Sequence, residues 1–301
     1  MALPRPASQR RVFRPARRVS WGTRIFSVLM LVLAVGAIAG FFTVLLPQQV
    51  AKLTQLEANE LGLARNGAAN VNTSVTALWA DISPKGSSSL TDDRLAVDVT
   101  LSRQTESSAA DALGHVRAAE AYMAQASSLP LQFRQPAFIA TDRPSLQHLE
   151  KGLGAAVKLA HGATLQLTLA QHLRQDSNTL VQLNASVDAR AWAAAAATAS
   201  TLVTDLRSQQ VPVADPEALL DPLWARWVDG MVSVTVDDQQ LALHSAANQS
   251  QLAQQDARTL SAARAQLAVT FTTAQNGAAD WQVKTIQPVL DTLRKELAAA
   301  G

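Results

Sequence analysis

The chain contains no cysteine, which excludes disulfide staples, thiolate metal sites and cysteine nucleophiles. Aromatic residues are scarce, with 6 Trp, 7 Phe and 1 Tyr among 301 residues. Strands draw on aromatic and β-branched side chains, so the shortage argues against a sheet protein. Charged residues amount to only 17 %, too few for a chain kept unfolded by self-repulsion. The net charge of +2 gives no pull towards nucleic acid, and none is expected as a partner.

Catalytic motifs are missing as well. No HExxH, G-x-S-x-G, S-x-x-K or G-x-x-x-x-G-K-[ST] run occurs, which removes the common zinc-protease, serine-nucleophile and phosphate-loop signatures. Gly152-Leu153-Gly154 lacks the third glycine and the preceding strand of a dinucleotide loop. The histidines are His115, His148, His161, His172 and His244. His161 and His172 can share a helix face, but they lie about 16 Å apart along it, too far to hold one metal. Asp92-Asp93 reads as the acidic first turn of a helix and Asp237-Asp238 as a solvated face. Adjacent acids on a helix point about 100° apart, so they do not share an ion. Three glycosylation-like triplets, beginning at Asn72, Asn184 and Asn248, fall inside helical stretches and read as chance matches. No catalytic, cofactor-binding or metal-binding residue is assigned, and an enzyme is not expected.

What is present begins with arginine. The first 24 residues hold Arg5, Arg10, Arg11, Arg14, Arg17, Arg18 and Arg24 and no acid. The remaining chain holds 19 basic residues and all 24 acids, a balance of −5. Ile25 to Leu46 is a 22-residue uncharged run whose only polar side chains are Ser27 and Thr43. As a helix it covers about 33 Å, enough for the bilayer hydrocarbon. Trp21 sits at the interface position and Pro47 closes the run. The run is longer than a signal-peptide core, and Leu45-Leu46-Pro47-Gln48-Gln49 offers no small-residue cleavage site. It reads as a signal anchor.

Cationic flanks stay in the cytoplasm. Arg10, Arg11, Arg14, Arg17, Arg18 and Arg24, with Trp21, therefore set the topology: N-terminus inside, the rest outside. The arginines read as topology signals rather than a specific lipid site. Arginine far exceeds lysine, which suggests a bacterial protein in the cell (inner) membrane. No second run approaches 18 apolar residues, so a single pass is expected. Gly36 and Gly40 form a small-xxx-small pair, a candidate for helix dimerisation and a homo-oligomer.

Beyond the span, apolar residues recur every 3 or 4 positions. Leu61, Ala64, Ala68, Val71, Val75 and Leu78 form one stripe, and Leu146, Leu149, Leu153, Ala156, Ala160, Ala163, Leu167 and Ala170 another. Ala253, Ala257, Leu260, Leu267, Phe271, Ala274, Ala278 and Trp281 continue the pattern, followed by Ile286, Leu290, Leu293 and Leu297. This spacing gives a bundle or coiled-coil seam. Turn residues cluster at 83–89, 129–144 and 211–216. Ser89, Thr91 and the acids after them read as a helix start, and Asn178 as another. Pro288 suggests a kink or a new first turn.

Leu95-Val97-Val99-Leu101 and Val232-Val234-Val236 alternate like strands. Each lies within a longer helical pattern, so helix is expected at both, with a small two-stranded pairing as the alternative.

The expected fold is all-α: a single N-terminal transmembrane helix followed by an extracytoplasmic bundle of five to seven long, alanine-rich, coiled-coil-like helices. The expected divisions are a basic cytoplasmic tail at 1–24, the transmembrane helix at 25–46, a membrane-proximal stalk helix at 47–82 and the bundle at 83–301. The most unusual cluster is Pro222-Leu223-Trp224-Ala225-Arg226-Trp227. Trp224 and Trp227 share a helix face. They either fill a core poor in large side chains or, with Arg226, contact a partner.

Two functions fit this inventory. One is a membrane-anchored envelope protein acting as a scaffold or assembly factor, with the bilayer and other envelope proteins as partners. The other is an external sensory or ligand-binding bundle. A 24-residue tail leaves no room for an output domain, so sensing would pass through a membrane partner.

Overall fold

The computed structural model describes residues 21–82, 91–129, 136–213, 219–220 and 222–301. The element order is α1 (Trp21–Gly40), a π-helical turn (Phe41–Leu45), α2 (Leu46–Ile82), α3 (Asp92–Ser128), α4 (Ala137–Asp188), α5 (Trp192–Val213), α6 (Pro222–Ala246), α7 (Ser250–Trp281), a second π-helical turn (Gln282–Ile286) and α8 (Gln287–Ala299). No strand occurs among the described residues. The alternating segments lie inside α3 and α6, which removes the two-stranded alternative. The buried positions there follow the helical period: Leu95, Asp98, Val99 and Ser102 in α3, and Met231, Val234, Thr235 and Asp238 in α6. Val97, which the alternation would bury, is 57 % exposed.

Contacts divide the chain into two units, Met1–Lys52 and Leu53–Gly301. Within the first, α1 begins a helix that is long and apolar enough to cross a membrane. Leu31, Val32, Leu33, Val35 and Val44 all point outward, unlike the side chains of a core helix. Pro47 does not end the helix. The π turn at Phe41–Leu45 precedes it, and α2 runs straight through it. Gln282–Ile286 stands in the same relation to Pro288. Proline has no N–H for the carbonyl four residues back. A wider turn just before each proline lets the helix absorb that lost bond.

The second unit is two bundles sharing one long helix. In the first bundle α2, α3, the N-terminal part of α4, and α8 surround a core that includes Val71, Val75, Leu78, Leu159, Ile286 and Leu293. A contiguous cluster joins Leu61, Ala68, Val116, Leu149 and Leu153. In the second bundle the C-terminal part of α4 meets α5, α6 and α7 around Leu183, Ala199, Leu202, Leu206 and Met231. α4 has 52 residues, about 78 Å at 1.5 Å per residue, which is why it can serve both. The stripe Leu61 to Leu78 is buried at every expected position, and so is Leu146 to Leu167. Each buried Leu or Val contributes on the order of 1.5–3 kcal/mol of apolar transfer.

Several sequence expectations change here. α2 is not a separate stalk, because from Leu61 onward its apolar face is part of the bundle core. Pro144 lies inside α4. It and Ala140 are exposed, so water can satisfy the carbonyl that proline leaves unpaired. Asn178 starts no helix, since α4 runs on to Asp188. The turn comes at Ala189–Ala191 instead. Arg190 has φ 56°, its N–H donates to Val187 O, and Ala191 N–H donates to Ser186 O. Asn248 closes α6 the same way, with φ 56° and Gln249 N–H donating to His244 O. Both are left-handed helix stops of the Schellman kind, one built on arginine and so invisible to a search for Gly or Asn. Thr91 does cap α3, its Oγ1 accepting from Arg94 N–H at 3.3 Å. The stripe on α7 is only partly inward: Leu260 and Ala274 are buried, whereas Ala257 is exposed.

Alanine and glycine set how closely the helices approach. A Cβ built on Gly67 of α2 would sit 2.8 Å from the Ala112 Cβ of α3. Neither atom can rotate away, so the backbones must separate. Gly67→Val is expected to destabilise the protein by about 1–3 kcal/mol through overpacking, although valine is the better helix former. Urea unfolding followed by circular dichroism measures this; a gain in stability would show that the two helices yield freely.

Candidate functional site

The two bundles meet around a cavity of about 730 Å³. Its walls come from both bundles. The distal end of α2 supplies Trp79 and Ile82, and α3 supplies Leu95. The stretch of α4 from Gln166 to Leu180 forms one side. Trp224, Trp227 and Met231 of α6 face Phe271, Gln275 and Trp281 of α7. Four of the chain's 6 Trp thus border one space. This size and lining resemble a small-molecule pocket, mostly apolar with a few placed polar groups.

The aromatic wall is ordered by edge-to-face packing. The Trp224 and Trp227 rings lie 5.6 Å apart at 88°, and Phe271 sits 6.2 Å from Trp224 and 5.7 Å from Trp227. Such pairs are favoured by the ring quadrupole. Gly277 of α7 lets the α6 side chain Leu223 come close, within 2.7 Å of where a Cβ would stand. On the other side Trp79 is fully buried and its Nε1–H donates to Leu159 O at 3.1 Å. Gln282, the first residue of the second π turn, reaches Trp79 O at 3.5 Å.

The polar members are Gln166, Ser177, Gln275, Gln282 and Arg174. Among the described residues lining the cavity, Arg174 is the one charged side chain and no acid is present. Its guanidinium forms an ion pair with Asp92 at the start of α3. Gln166 Oε1 is buried and accepts no hydrogen bond within the described structure.

Buried acids brace the second bundle beside this wall. Asp176 on α4 accepts from Gln209 Nε2 of α5 at 2.8 Å. Burial pushes its carboxyl above the ordinary range, against that hydrogen bond. Asp238 on α6 is fully buried and pairs with Arg264 of α7 at 2.7 Å. Burial raises its pKa too, and the Arg264 charge opposes the rise. The Arg264 side chain is 45 % exposed, so only the carboxylate side of this pair is buried, and removing the arginine would leave that charge uncompensated.

The histidines have a different role from the one weighed in the sequence. Four of the five bridge neighbouring helices through Nδ1. His115 meets Glu60 at 2.6 Å, His148 meets Glu296 at 2.7 Å, His161 meets Glu106 at 2.9 Å and His244 meets Asp256 at 2.6 Å. The His148 contact holds the Glu296 carboxyl below its ordinary pKa. Among the described residues no group of three or more His, Cys, Asp or Glu is placed to hold a metal ion.

Arg10, Arg11, Arg14, Arg17 and Arg18 lie outside the described residues, while Trp21 and Arg24 fall in the first turn of α1. A Cβ on Gly36 or Gly40 would meet nothing within 4 Å. Trp224 and Trp227 are half-buried on the cavity wall, and Arg226 between them is exposed on the outer side of α6. Sequence reading paired the two tryptophans but missed Trp79 and did not join Phe271 or Trp281 to them. The only signal available was the scarcity of aromatics; Trp79 and Trp281 are 202 positions apart in the sequence. In comparison with known proteins, no family model, no curated protein and no solved structure matches the chain.

Proposed function

We propose that the chain is a membrane-anchored ligand-binding module. In this reading the span at 25–46 holds it in a bacterial cell (inner) membrane, with the arginine-rich N-terminus cytoplasmic and the tandem bundle extracytoplasmic. A small, largely apolar molecule occupies the cavity between the bundles, and the output passes to a separate membrane partner. The observation that carries the reading is the cavity. An alanine-rich protein short of large side chains would bury its tryptophans to fill space, yet here Trp224, Trp227 and Trp281 stay only half-buried along an open volume, with the fully buried Trp79 on its other side. The arginine excess before the apolar run supports the orientation. The scaffold reading has no comparable feature in its favour.

The test uses the full chain in lipid nanodiscs. An uncharged aryl probe, 2-naphthamide, is expected to quench tryptophan fluorescence saturably at one site per chain. Ala170→Trp, which fills the cavity from its α4 wall, should abolish that quenching while leaving the helical circular dichroism unchanged. If the wild type binds neither this probe nor its carboxylate analogue, the ligand reading fails. Reporter fusions at both ends test the topology separately, and an external N-terminus would overturn the orientation.

A further inference from the structure

We infer that Glu57 is a proton-operated latch for the first turns of the second unit: with a proton it packs into the seam between α2, α3 and α4, and without one it releases that end of α2 to water. Leu53, Glu57, Leu61 and Ala64 follow one another at 4- and 3-residue spacing, so the acid occupies an inward position of an otherwise apolar stripe. Leu53, Leu61 and Ala64 belong to the cluster that includes Met123 and Ala126 of α3 and Ile139 of α4. Glu57 itself is 0 % exposed.

Four acids are buried among the described residues. Asp98 meets Arg94 at 3.2 Å, Asp176 accepts from Gln209 at 2.8 Å and Asp238 pairs with Arg264 at 2.7 Å. Neither oxygen of Glu57 has a partner among the described residues. An unpaired carboxylate is far costlier to bury than a neutral acid, so the closed seam favours the proton. Asp142 of α4 also opposes ionisation, and Arg65, further along α2, favours it. Arg65 is engaged elsewhere, its guanidinium donating to Ser145 Oγ at 2.9 Å and to Ala300 O at 3.2 Å. The other charges on these helices are directed to one another. Glu60 meets His115, Glu296 meets His148, and Glu120 of α3 lies among Glu150, Arg117 and Arg143. Burial, with Asp142, pushes the Glu57 carboxyl from 4.5 up to about 7. Opening to water restores its ordinary acidity. Opening is therefore favoured progressively as pH rises from about 4.5 to about 7 and levels off above.

The chain has no cysteine, so single introduced thiols report the opening. Ala64→Cys, on the same stripe, is labelled with a maleimide on the full chain in nanodiscs at pH 6 and pH 8.5. Ala199→Cys, in the second-bundle core, is the control, and both rates are divided by that of the exposed Ala257→Cys. The normalised rate at position 64 is expected to rise about tenfold, the ratio for one carboxyl with a pKa of about 7 when closed and 4.5 when open. The rate at position 199 should stay level. Adding Glu57→Gln should remove the rise. Adding Asp142→Asn should shrink it, because the carboxylate then ionises inside the closed seam at lower cost. Level labelling at position 64, or an equal rise at position 199, would overturn the inference. So would a rise that survives Glu57→Gln, or one that Asp142→Asn leaves unchanged or enlarges.

Discussion

Replacing Trp79 by alanine is expected to lower the unfolding free energy by about 3–5 kcal/mol, the range for deleting a large core side chain. Trp79 is 2 % exposed and packs in the first-bundle core with Leu78, Leu159 and Ile286. Its removal loses apolar contact and leaves a void that alanine-lined helices cannot easily collapse into. It also deletes the Nε1–H bond to Leu159 O, worth about 1 kcal/mol net. Trp79→Phe keeps most of the volume and loses the donor, so it should cost a smaller share. Urea denaturation of the full chain measures both variants. A loss below about 1 kcal/mol for alanine would mean that α2 does not carry the core at this end. Because Trp79 also lines the cavity, the same variant should weaken aryl-probe binding, linking the fold to the site.

Glu57→Gln is expected to act in the opposite direction and only at higher pH. Glu57 on α2 is fully buried, and neither carboxylate oxygen has a hydrogen-bond partner among the described residues. Burial, reinforced by the nearby Asp142 charge and opposed by Arg65, raises its pKa from 4.5 to about 7. The folded state therefore holds a proton that the unfolded chain releases near pH 4.5. Between these values the folded state binds more protons, so stability from this group falls as pH rises. It is fully present below about pH 4.5 and lost through about pH 7. Glutamine keeps the shape and cannot ionise. At pH 8 it should raise stability by about 1–3 kcal/mol, and near pH 4.5 it should change little. Unfolding curves at both pH values test this. Parallel pH profiles for the two proteins would show that the Glu57 carboxylate is hydrated in the folded state.

The parts of the fold legible from the sequence are those with a local cause. The apolar run at 25–46 needs no partner to be recognised. The stripes Leu61 to Leu78 and Leu146 to Leu167 are buried where their 3- and 4-residue spacing places them, because a helix has one period and one inward face. Thr91 caps α3 because its hydroxyl acts on an N–H three residues away. The failures lie where a neighbour outvotes local preference. Pro144 ends a helix in isolation, yet solvent exposure of Ala140 makes it tolerable within α4. Arg190 is a poor left-handed residue, and the two terminal hydrogen bonds hold it there. Ala257 belongs to a regular stripe but is exposed, because the inward face at this end of α7 runs through Ala253, Asp256 and Leu260 instead.

The sequence by itself determined a helical protein with one apolar span, an arginine-rich end and long amphipathic stripes. Periodicity and charge asymmetry are properties of neighbouring residues and survive without a structure. It did not determine that α4 serves two bundles, that four histidines bind acids on neighbouring helices, or that Trp79, Trp224, Trp227 and Trp281 border one cavity with Arg174. Those facts depend on which helix faces are apposed and at what register. Several alanine-lined pairings have nearly equal apolar content, so only the packed tertiary structure selects among them.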